Sequence, residues 1–250
     1  MHVISLISGK GGVGKTTLTT NLAIALGQRG KRVLVIDLDP QNAVRLHLAM
    51  DPGDDAGLVR EGIFPEVIFH SPFGVDFIPF GRVTEEELLE FESALEARPE
   101  WVATAIQGLR VAAYDYILLD TPPGATVYLP QALKAAERAL VVVLADAASY
   151  NSLSKLFKLL AEYGVHDTYP HTSTTTHILL NQMQENSELG QQVRTALMNT
   201  YGAKMAPMVI HRDATVPEAL AYERSVLQYE PDAPASRDIQ HLADWLRTTA

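Results

Sequence analysis

The chain contains no cysteine among its 250 residues. Disulfides and cysteine-ligated zinc sites or iron–sulfur clusters are therefore excluded. The sequence also lacks an apolar stretch that approaches the roughly 20 residues needed to span a bilayer. The first predicted strand begins almost at the N-terminus, leaving no room for a signal peptide, so we expect a cytoplasmic protein.

Basic residues are also few, with 20 Lys and Arg against 30 Asp and Glu and a formal net charge of −10. A surface that binds DNA without sequence preference needs clustered Lys and Arg to displace counterions from phosphates. No basic amphipathic helix for a membrane surface is evident either. These shortages argue against nonspecific DNA binding, and they predict membrane contact only indirectly, through partners. The C-terminal residues 236–250 place apolar side chains at helical spacing and predict a helix packed on the core.

What the chain does have is a glycine-rich phosphate-binding loop. Residues 9–17 read Gly-Lys-Gly-Gly-Val-Gly-Lys-Thr-Thr, which fits the G-x-x-x-x-G-K-[ST] pattern between a strand and a helix. Backbone N–H groups of such a loop face phosphate oxygens. Lys15 is predicted to reach the β- and γ-phosphates, and the Thr16 hydroxyl to bind Mg²⁺. The predicted nucleotide contacts are Gly11, Gly12, Val13, Gly14, Lys15, Thr16 and Thr17. A second lysine, Lys10, is not needed for this and indicates an additional role.

Predicted strands and helices alternate along the chain. This order predicts an α/β fold with one doubly wound, mostly parallel sheet and helices on both faces, and a ligand at the carboxyl ends of the strands. We find no linker, repeat or low-complexity run, so residues 1–250 are predicted to form one domain. The predicted strands are residues 3–8, 32–37, 75–79, 114–120, 139–144, 176–181 and 206–210, and the main predicted helices are 15–29, 85–97, 151–163, 186–200 and 216–223.

Three aspartates follow predicted strands and are candidates for the metal site. Asp37 and Asp39 stand two residues apart at the end of one strand, so both side chains share a face. They are suited to positioning an attacking water and organising the Mg²⁺ shell. Asp120 ends the apolar run Tyr116–Leu119 as a Walker-B carboxylate does, and Gly124 supplies a possible hinge. Each pattern alone also fits ordinary loop capping.

The base of the nucleotide is predicted to lie near the ends of two later strands. Asn181 offers an amide donor and acceptor, and His211, Arg212 and Asp213 follow the next strand as the other wall. Each of these is also a routine start of a loop.

Together, the segments Lys10–Thr17, Asp37–Gln41 and Asp120–Gly124, with Asn181, resemble the ParA/MinD family of deviant-Walker-A P-loop ATPases. The resemblance spans most of the chain. It implies ATP and Mg²⁺ as cofactors, slow ATP hydrolysis and an ATP-sandwich homodimer. It also implies that Lys10 crosses the dimer interface to the partner's phosphates, that Asp39 is the switch I aspartate required for hydrolysis, and that Asp120 begins switch II.

Less generic segments are similar to the branch of this family found in bacterial cellulose-synthase operons. They include Asn42–Leu46, Asp76–Gly81, Pro207–Asp213 and Leu242–Trp245. The wider family usually has proline where His211 stands, whereas the cellulose-linked branch matches His211. The similarity implies a factor that supports assembly or localisation of cellulose synthase, often with the small partner BcsR, and placement at the inner membrane only through partners.

Other functions remain open from the sequence. The chain could position another cargo, such as a chromosome, a plasmid or a protein cluster. It could instead be a scaffold that holds ATP with little hydrolysis, although Asp39 argues against this. A metabolic ATP-dependent ligase or an iron–sulfur reductase would share the fold, but the reductase needs cysteines that the chain lacks.

Overall fold

The computed structural model describes residues 1–109, 114–163 and 174–249. Eight strands form one sheet in the order β3-β4-β2-β5-β1-β6-β7-β8. Every neighbouring pair is parallel except β3 and β4, which are antiparallel. The strands are β1 (His2–Ile7), β2 (Val33–Asp37), β3 (Phe69–His70), β4 (Asp76–Ile78), β5 (Tyr116–Asp120), β6 (Arg138–Leu144), β7 (Thr175–Met183) and β8 (Met205–His211).

The central strands read as nearly continuous apolar runs because helices cover both faces of the sheet. Alternate residues of β2 enter different cores, Val33 and Val35 one and Leu34 and Ile36 the other. The helices are α1 (Lys15–Gln28), α2 (Val44–His47), α3 (Leu58–Glu61), α4 (Glu85–Ala97), α5 (Trp101–Gly108), α6 (Tyr128–Ala135), α7 (Ala147–Glu162), α8 (Glu188–Tyr201), α9 (Thr215–Ala221), α10 (Val226–Tyr229) and α11 (Pro234–Thr248). Helices α1, α10 and α11 pack on one face, and α5 to α8 contribute to the cores of the other.

The predicted fold class is confirmed, and the differences from the predicted elements have local causes. Helix α4 begins at Glu85 as predicted, with the Thr84 and Glu87 capping box formed. The two-residue edge strand β3 was not predicted because it is too short to show a pattern. Helices α5 and α6 were also not predicted, since they are short and Pro130 interrupts the second in sequence. Proline is tolerated there because it lies in the first turn of the helix.

The C-terminal helix α11 packs on the core as its pattern predicts. Ile239, Leu242, Ala243 and Leu246 are buried, and α11 lies against α1 and β8. Arg138 of β6 holds the C-terminal end of α11, because its guanidinium donates a hydrogen bond to the Thr249 hydroxyl. Among helices of the described ranges, none combines the length and hydropathy required for a membrane span.

Candidate functional site

The parallel sheet places the predicted phosphate-binding loop beside the ends of β2 and β5. The loop joins β1 to α1, and β1 and β2 both pair with β5. Gly12 and Gly14 have φ values of 73° and 84°, the left-handed region that glycine reaches without strain. A Cβ on Gly14 would also lie 2.7 Å from the Asn181 amide nitrogen. The backbone can follow this path only because these positions carry no side chain.

The Asp120 carboxylate accepts hydrogen bonds from hydroxyl groups in the first turns of α1. Thr16 Oγ1 donates to Asp120 Oδ2 at 2.6 Å. Thr19 Oγ1 lies 3.0 Å from Asp120 Oδ1 and 2.9 Å from the Lys15 carbonyl oxygen. Asp120 is completely buried. The hydroxyl and the carboxylate that were both predicted to serve Mg²⁺ are therefore in direct contact, and both are oxygen ligands of the type that Mg²⁺ prefers.

The acidic segment after β2 is held by its own carboxylates. Asp37 accepts hydrogen bonds from the backbone N–H groups of Asp39, at 3.0 Å, and Val44, at 3.1 Å. Asp39 accepts from the Gln41 N–H at 2.9 Å. Since both oxygens of Asp37 receive backbone donors, this side chain shapes the loop that presents Asp39. A direct contact of Asp37 with a metal stays a prediction.

The electrostatics of this cluster are dominated by burial. Asp37 and Asp120 occupy opposite positions on adjacent strands. Burial raises the pKa of Asp37 well above its usual value, and the nearby Asp120 raises it further. Burial also raises the pKa of Asp120 to about 6, against the hydrogen bond from Thr16 and the charge of Lys15. Burial lowers the pKa of Lys15, while Asp120 and Asp39 act in the opposite direction. The site is thus a compact group of buried charges with a shortage of positive charge.

Lys10 forms an ion pair with a residue outside this group. Its Nζ donates to Asp146 Oδ2 at 2.7 Å, at the beginning of α7. Asp146 also caps that helix by accepting from the Ser149 N–H. Burial alone would raise the pKa of Asp146, but the hydrogen bonds from Lys10 and Ser149 outweigh it and hold the pKa below its usual value. Both members of the ion pair remain partly exposed.

A cavity of about 490 Å³ continues from the loop toward the ends of β7 and β8. Asn181 lies in its wall, but its amide nitrogen donates to the Val13 carbonyl oxygen at 2.7 Å and so supports the loop. Gln182 also lines the cavity. Its φ of 55° is unusual for a residue with a side chain, and the β7–β8 register shifts at this point. A base contact by Asn181 stays a prediction.

The three residues at the end of β8 line this cavity but differ in their contacts. His211 Nδ1 lies 2.8 Å from Asp238 Oδ2. Asp213 accepts from the N–H groups of Thr215 and Ala235 and thereby holds the starts of α9 and α11. The Arg212 side chain is exposed, and it has no hydrogen-bond or ion-pair partner within the described ranges. Asp213 is therefore already engaged structurally, and Arg212 is the group free to contact a ligand.

The structure thus brings the phosphate loop, Asp37, Asp39 and Asp120 together at the carboxyl ends of the central strands. It places the predicted base-binding residues around an adjoining cavity. Within the part of the chain that is described, no three acidic or histidine side chains are grouped as a metal site by themselves. Sequence reasoning missed Thr19, Asp146 and Gln182. The signal for Asp146 was available, since it lies two residues beyond an apolar strand and at a helix N-cap position.

Comparison with known proteins identifies relatives along the whole chain. A family model described as cellulose biosynthesis protein BcsQ matches residues 1–246. BcsQ of Salmonella typhimurium is 29% identical over 250 residues, covering 98% of this chain and 94% of the relative. The chromosome-partitioning ATPase Soj of Thermus thermophilus is 31% identical over 241 residues, covering 96% and 93%. The septum site-determining protein MinD of Pyrococcus horikoshii, solved with Mg-ADP, has a TM-score of 0.74 and 25% identity and covers 98% of this chain and 95% of its own.

The raised pKa of Asp120 predicts a pH-dependent stability. The folded state binds this proton more tightly than the unfolded chain, so the free energy of unfolding falls as pH rises from about 4 through about 6. Asp120→Asn removes the titration while retaining an oxygen acceptor. In EDTA, the variant should exceed wild type in urea-unfolding free energy by on the order of 2 kcal/mol near pH 8, with the difference shrinking toward pH 4.

Asp146→Asn is the matched control because the pKa of Asp146 is shifted in the opposite direction. It should be slightly less stable than wild type at neutral pH, and this deficit should vanish as pH falls through the folded pKa of Asp146. A pH-independent effect of Asp120→Asn, or a loss of stability near pH 8, would contradict the electrostatic account.

Proposed function

The chain belongs to the BcsQ family of cellulose biosynthesis proteins, and we propose that it is an ATP-gated dimerising switch that supports assembly or localisation of the bacterial cellulose synthase complex. The relationship to Soj and MinD supports a positioning ATPase in the wider sense. Residues 1–250 are proposed to form a single P-loop ATPase domain, acting in the cytoplasm and reaching the inner membrane only through partners.

The observation that carries the proposal is the presence of two lysines in different environments of one phosphate loop. Lys15 is buried beside Asp120, where it serves the phosphates of its own subunit. Lys10 is partly exposed, and Asp146 is its side-chain partner among the residues that the structure describes. A partly exposed ion pair contributes about 0–1 kcal/mol, so Lys10 can exchange Asp146 for a phosphate at little cost. We infer that this phosphate belongs to the second subunit of an ATP-bound homodimer.

The residues present fit Mg-ATP. The loop offers backbone donors for phosphates, and Thr16 and Asp120 would provide oxygen ligands of the kind that Mg²⁺ prefers. Bound Mg²⁺ would neutralise charge on the β- and γ-phosphates. Asp39, presented by the loop that Asp37 holds, is proposed to orient the attacking water. The MinD neighbour solved with Mg-ADP supports this assignment.

The cellulose assignment rests on the family match and not on the site chemistry. The match extends to residue 246 and so includes regions remote from the phosphate loop. The proposed partners are the cellulose synthase complex and a small protein such as BcsR. The net charge of −10 argues against nonspecific DNA binding as the mode of action. Transport of another cargo is the second candidate, favoured by the relationship to Soj.

Lys10→Ala tests the catalytic part of the proposal. The substitution should lower ATP turnover by about 10³-fold or more, because a cation supplied to the phosphates in trans typically contributes 10³–10⁵-fold. Affinity for a fluorescent ATP analogue should change little, since Lys15 and the loop backbone remain. Turnover is measured as ADP release, and binding by fluorescence titration.

Lys31→Ala is the control for loss of a lysine, because Lys31 precedes β2 and so lies at the amino end of the strand, away from the phosphate loop. The turnover and ATP affinity of this variant should match those of the wild type. Wild-type turnover in Lys10→Ala would refute the role of Lys10. Absence of ADP over hours in a single-turnover assay of the wild-type protein would instead favour a scaffold that holds ATP.

The cargo is tested in the organism that encodes the chain by deleting the gene and restoring either the wild-type or the Asp39→Ala protein. Deletion should abolish or strongly reduce cellulose output, measured by binding of a cellulose dye, and only the wild-type gene should restore it fully. Normal cellulose together with misplaced chromosomes or protein clusters would contradict the cellulose assignment and support the second candidate.

A further inference from the structure

A surface cavity of about 550 Å³ opens beside the segment that follows Asp39. One wall consists of residues 40–42 and α2, and the other of the approach to α4 and its first turn. The cavity shares no lining residue with the base-binding cavity. It is therefore a separate site that adjoins the nucleotide site through the acidic loop.

The cavity contains a buried arginine without a counter-charge. Arg45 is 4% exposed. Its Nη2 donates to the carbonyl oxygens of Asp51 and Pro52, at 3.2 Å each, but Nη1 is buried without a hydrogen-bond partner. Nowhere in residues 1–109, 114–163 and 174–249 does a carboxylate pair with this guanidinium. Buried charges are normally paired because leaving one unpaired is costly.

Two further features of the cavity indicate what it binds. The amide oxygen of Asn42 is also buried and lacks a donor among the described residues, so an unused donor and an unused acceptor lie just beneath the surface of the cavity wall. Leu46 lies at the rim and is 65% exposed, and Leu88 provides a second apolar surface. An incoming group that combines one negative charge, an N–H donor and apolar neighbours would satisfy all of these atoms.

The charge balance favours one carboxylate over a phosphate group. Arg82, the other arginine of the cavity, is already paired with Asp55 at 3.0 Å. Arg45 is therefore the arginine of the cavity that lacks a carboxylate partner among the described residues. Glu85 also lines the cavity and would repel a doubly charged phosphate more than a carboxylate. A guanidinium and a carboxylate match in geometry as well as in charge.

We propose that the Arg45 cavity is a docking site for a partner protein segment in which a Glu or Asp side chain is flanked by apolar residues. On docking, the side chains of Arg45 and Asn42 turn toward the cavity, so that the carboxylate pairs with Arg45 and a peptide N–H of the segment reaches Asn42. The apolar neighbours of the carboxylate cover Leu46 and Leu88. A small hydrophilic anion would leave the exposed Leu46 uncovered, so the proposal names a peptide segment as the occupant.

The site is connected to the nucleotide-binding residues by two hydrogen bonds. The N–H of Val44, next to Arg45, donates to Asp37 Oδ2 at 3.1 Å. The N–H of Asn42 donates to the Asp39 carbonyl oxygen at 2.8 Å. Movement of the acidic loop would therefore alter the cavity. This coupling rests on the proposed function, whereas binding of the segment without nucleotide does not.

The test uses two blocked peptides, acetyl-Leu-Glu-Leu-amide and acetyl-Leu-Gln-Leu-amide, titrated into the nucleotide-free full chain. Backbone amide signals of residues 42–46 are followed by NMR. The Glu peptide should shift them with at least about tenfold higher affinity than the Gln peptide, because only the former supplies a charged partner to Arg45. Equal affinities, or no shift with either peptide, would overturn the proposal.

Arg45→Met should abolish the difference between the peptides, and Arg82→Met should preserve it, because Arg82 is already paired. If Arg45→Met does not fold, Leu46→Ser provides an exposed alternative. It should weaken both peptides while leaving their ratio unchanged, and unaltered binding would overturn the proposed rim contact. Inorganic phosphate that shifts the same signals as strongly as the Glu peptide would show a general anion site and refute the peptide assignment.

Repeating the titration with Mg²⁺ and a nonhydrolysable ATP analogue separates the two claims. A changed affinity for the Glu peptide would support coupling between the cavity and the nucleotide. An unchanged affinity would reject the coupling but retain the docking site. Failure of the nucleotide-free titration would reject the docking site and leave the proposed ATPase unaffected.

Discussion

The structure depends on the register that places two buried carboxylates, Asp37 and Asp120, opposite each other on adjacent parallel strands. Removing like charges from water together is costly, which is why burial and mutual repulsion raise the pKa of Asp37. Hydrogen-bond donors from helix α1 and from the segment after β2 offset this cost. The hydroxyls of Thr16 and Thr19 serve Asp120, and backbone N–H groups serve Asp37. The same hydrogen bonds also hold α1 against Asp120 and the segment after β2 against Asp37. They therefore both stabilise the buried carboxylates and position the residues of the site.

The two lysines of the phosphate loop differ in burial, since Lys15 is buried and Lys10 is partly exposed. Lys15 is buried, and the charges of Asp120 and Asp39 act on it. Lys10 has a partner of its own, Asp146, in a partly exposed ion pair whose contribution to stability is small. A buried cation suits retention of a bound ligand. A cation held by a weak, partly exposed ion pair can change partners and therefore suits a switch. The proposed dimerisation depends on this difference.

Much of the fold could be predicted because the strongest signals in the sequence are local and periodic. Apolar strands with charged ends and the capping box at Thr84 were enough to place most elements. The phosphate loop followed from its glycine, lysine and threonine pattern between a predicted strand and a predicted helix. The side-chain pairing of Lys10 with Asp146 joins residues 136 positions apart, and no local pattern reports such a contact. The unmatched charge of Arg45 was likewise invisible, because a sequence shows which charges exist but not which ones lack partners.

The central claim is that ATP closes two copies of this chain into a dimer. Size-exclusion chromatography with light scattering tests it on the wild type and Asp39→Ala without nucleotide, with Mg-ADP and with Mg-ATP. The account predicts the mass of one chain without nucleotide and with ADP, and of two chains with ATP, with the dimer most persistent in Asp39→Ala. The mass of one chain under all three conditions, in both proteins, would contradict it.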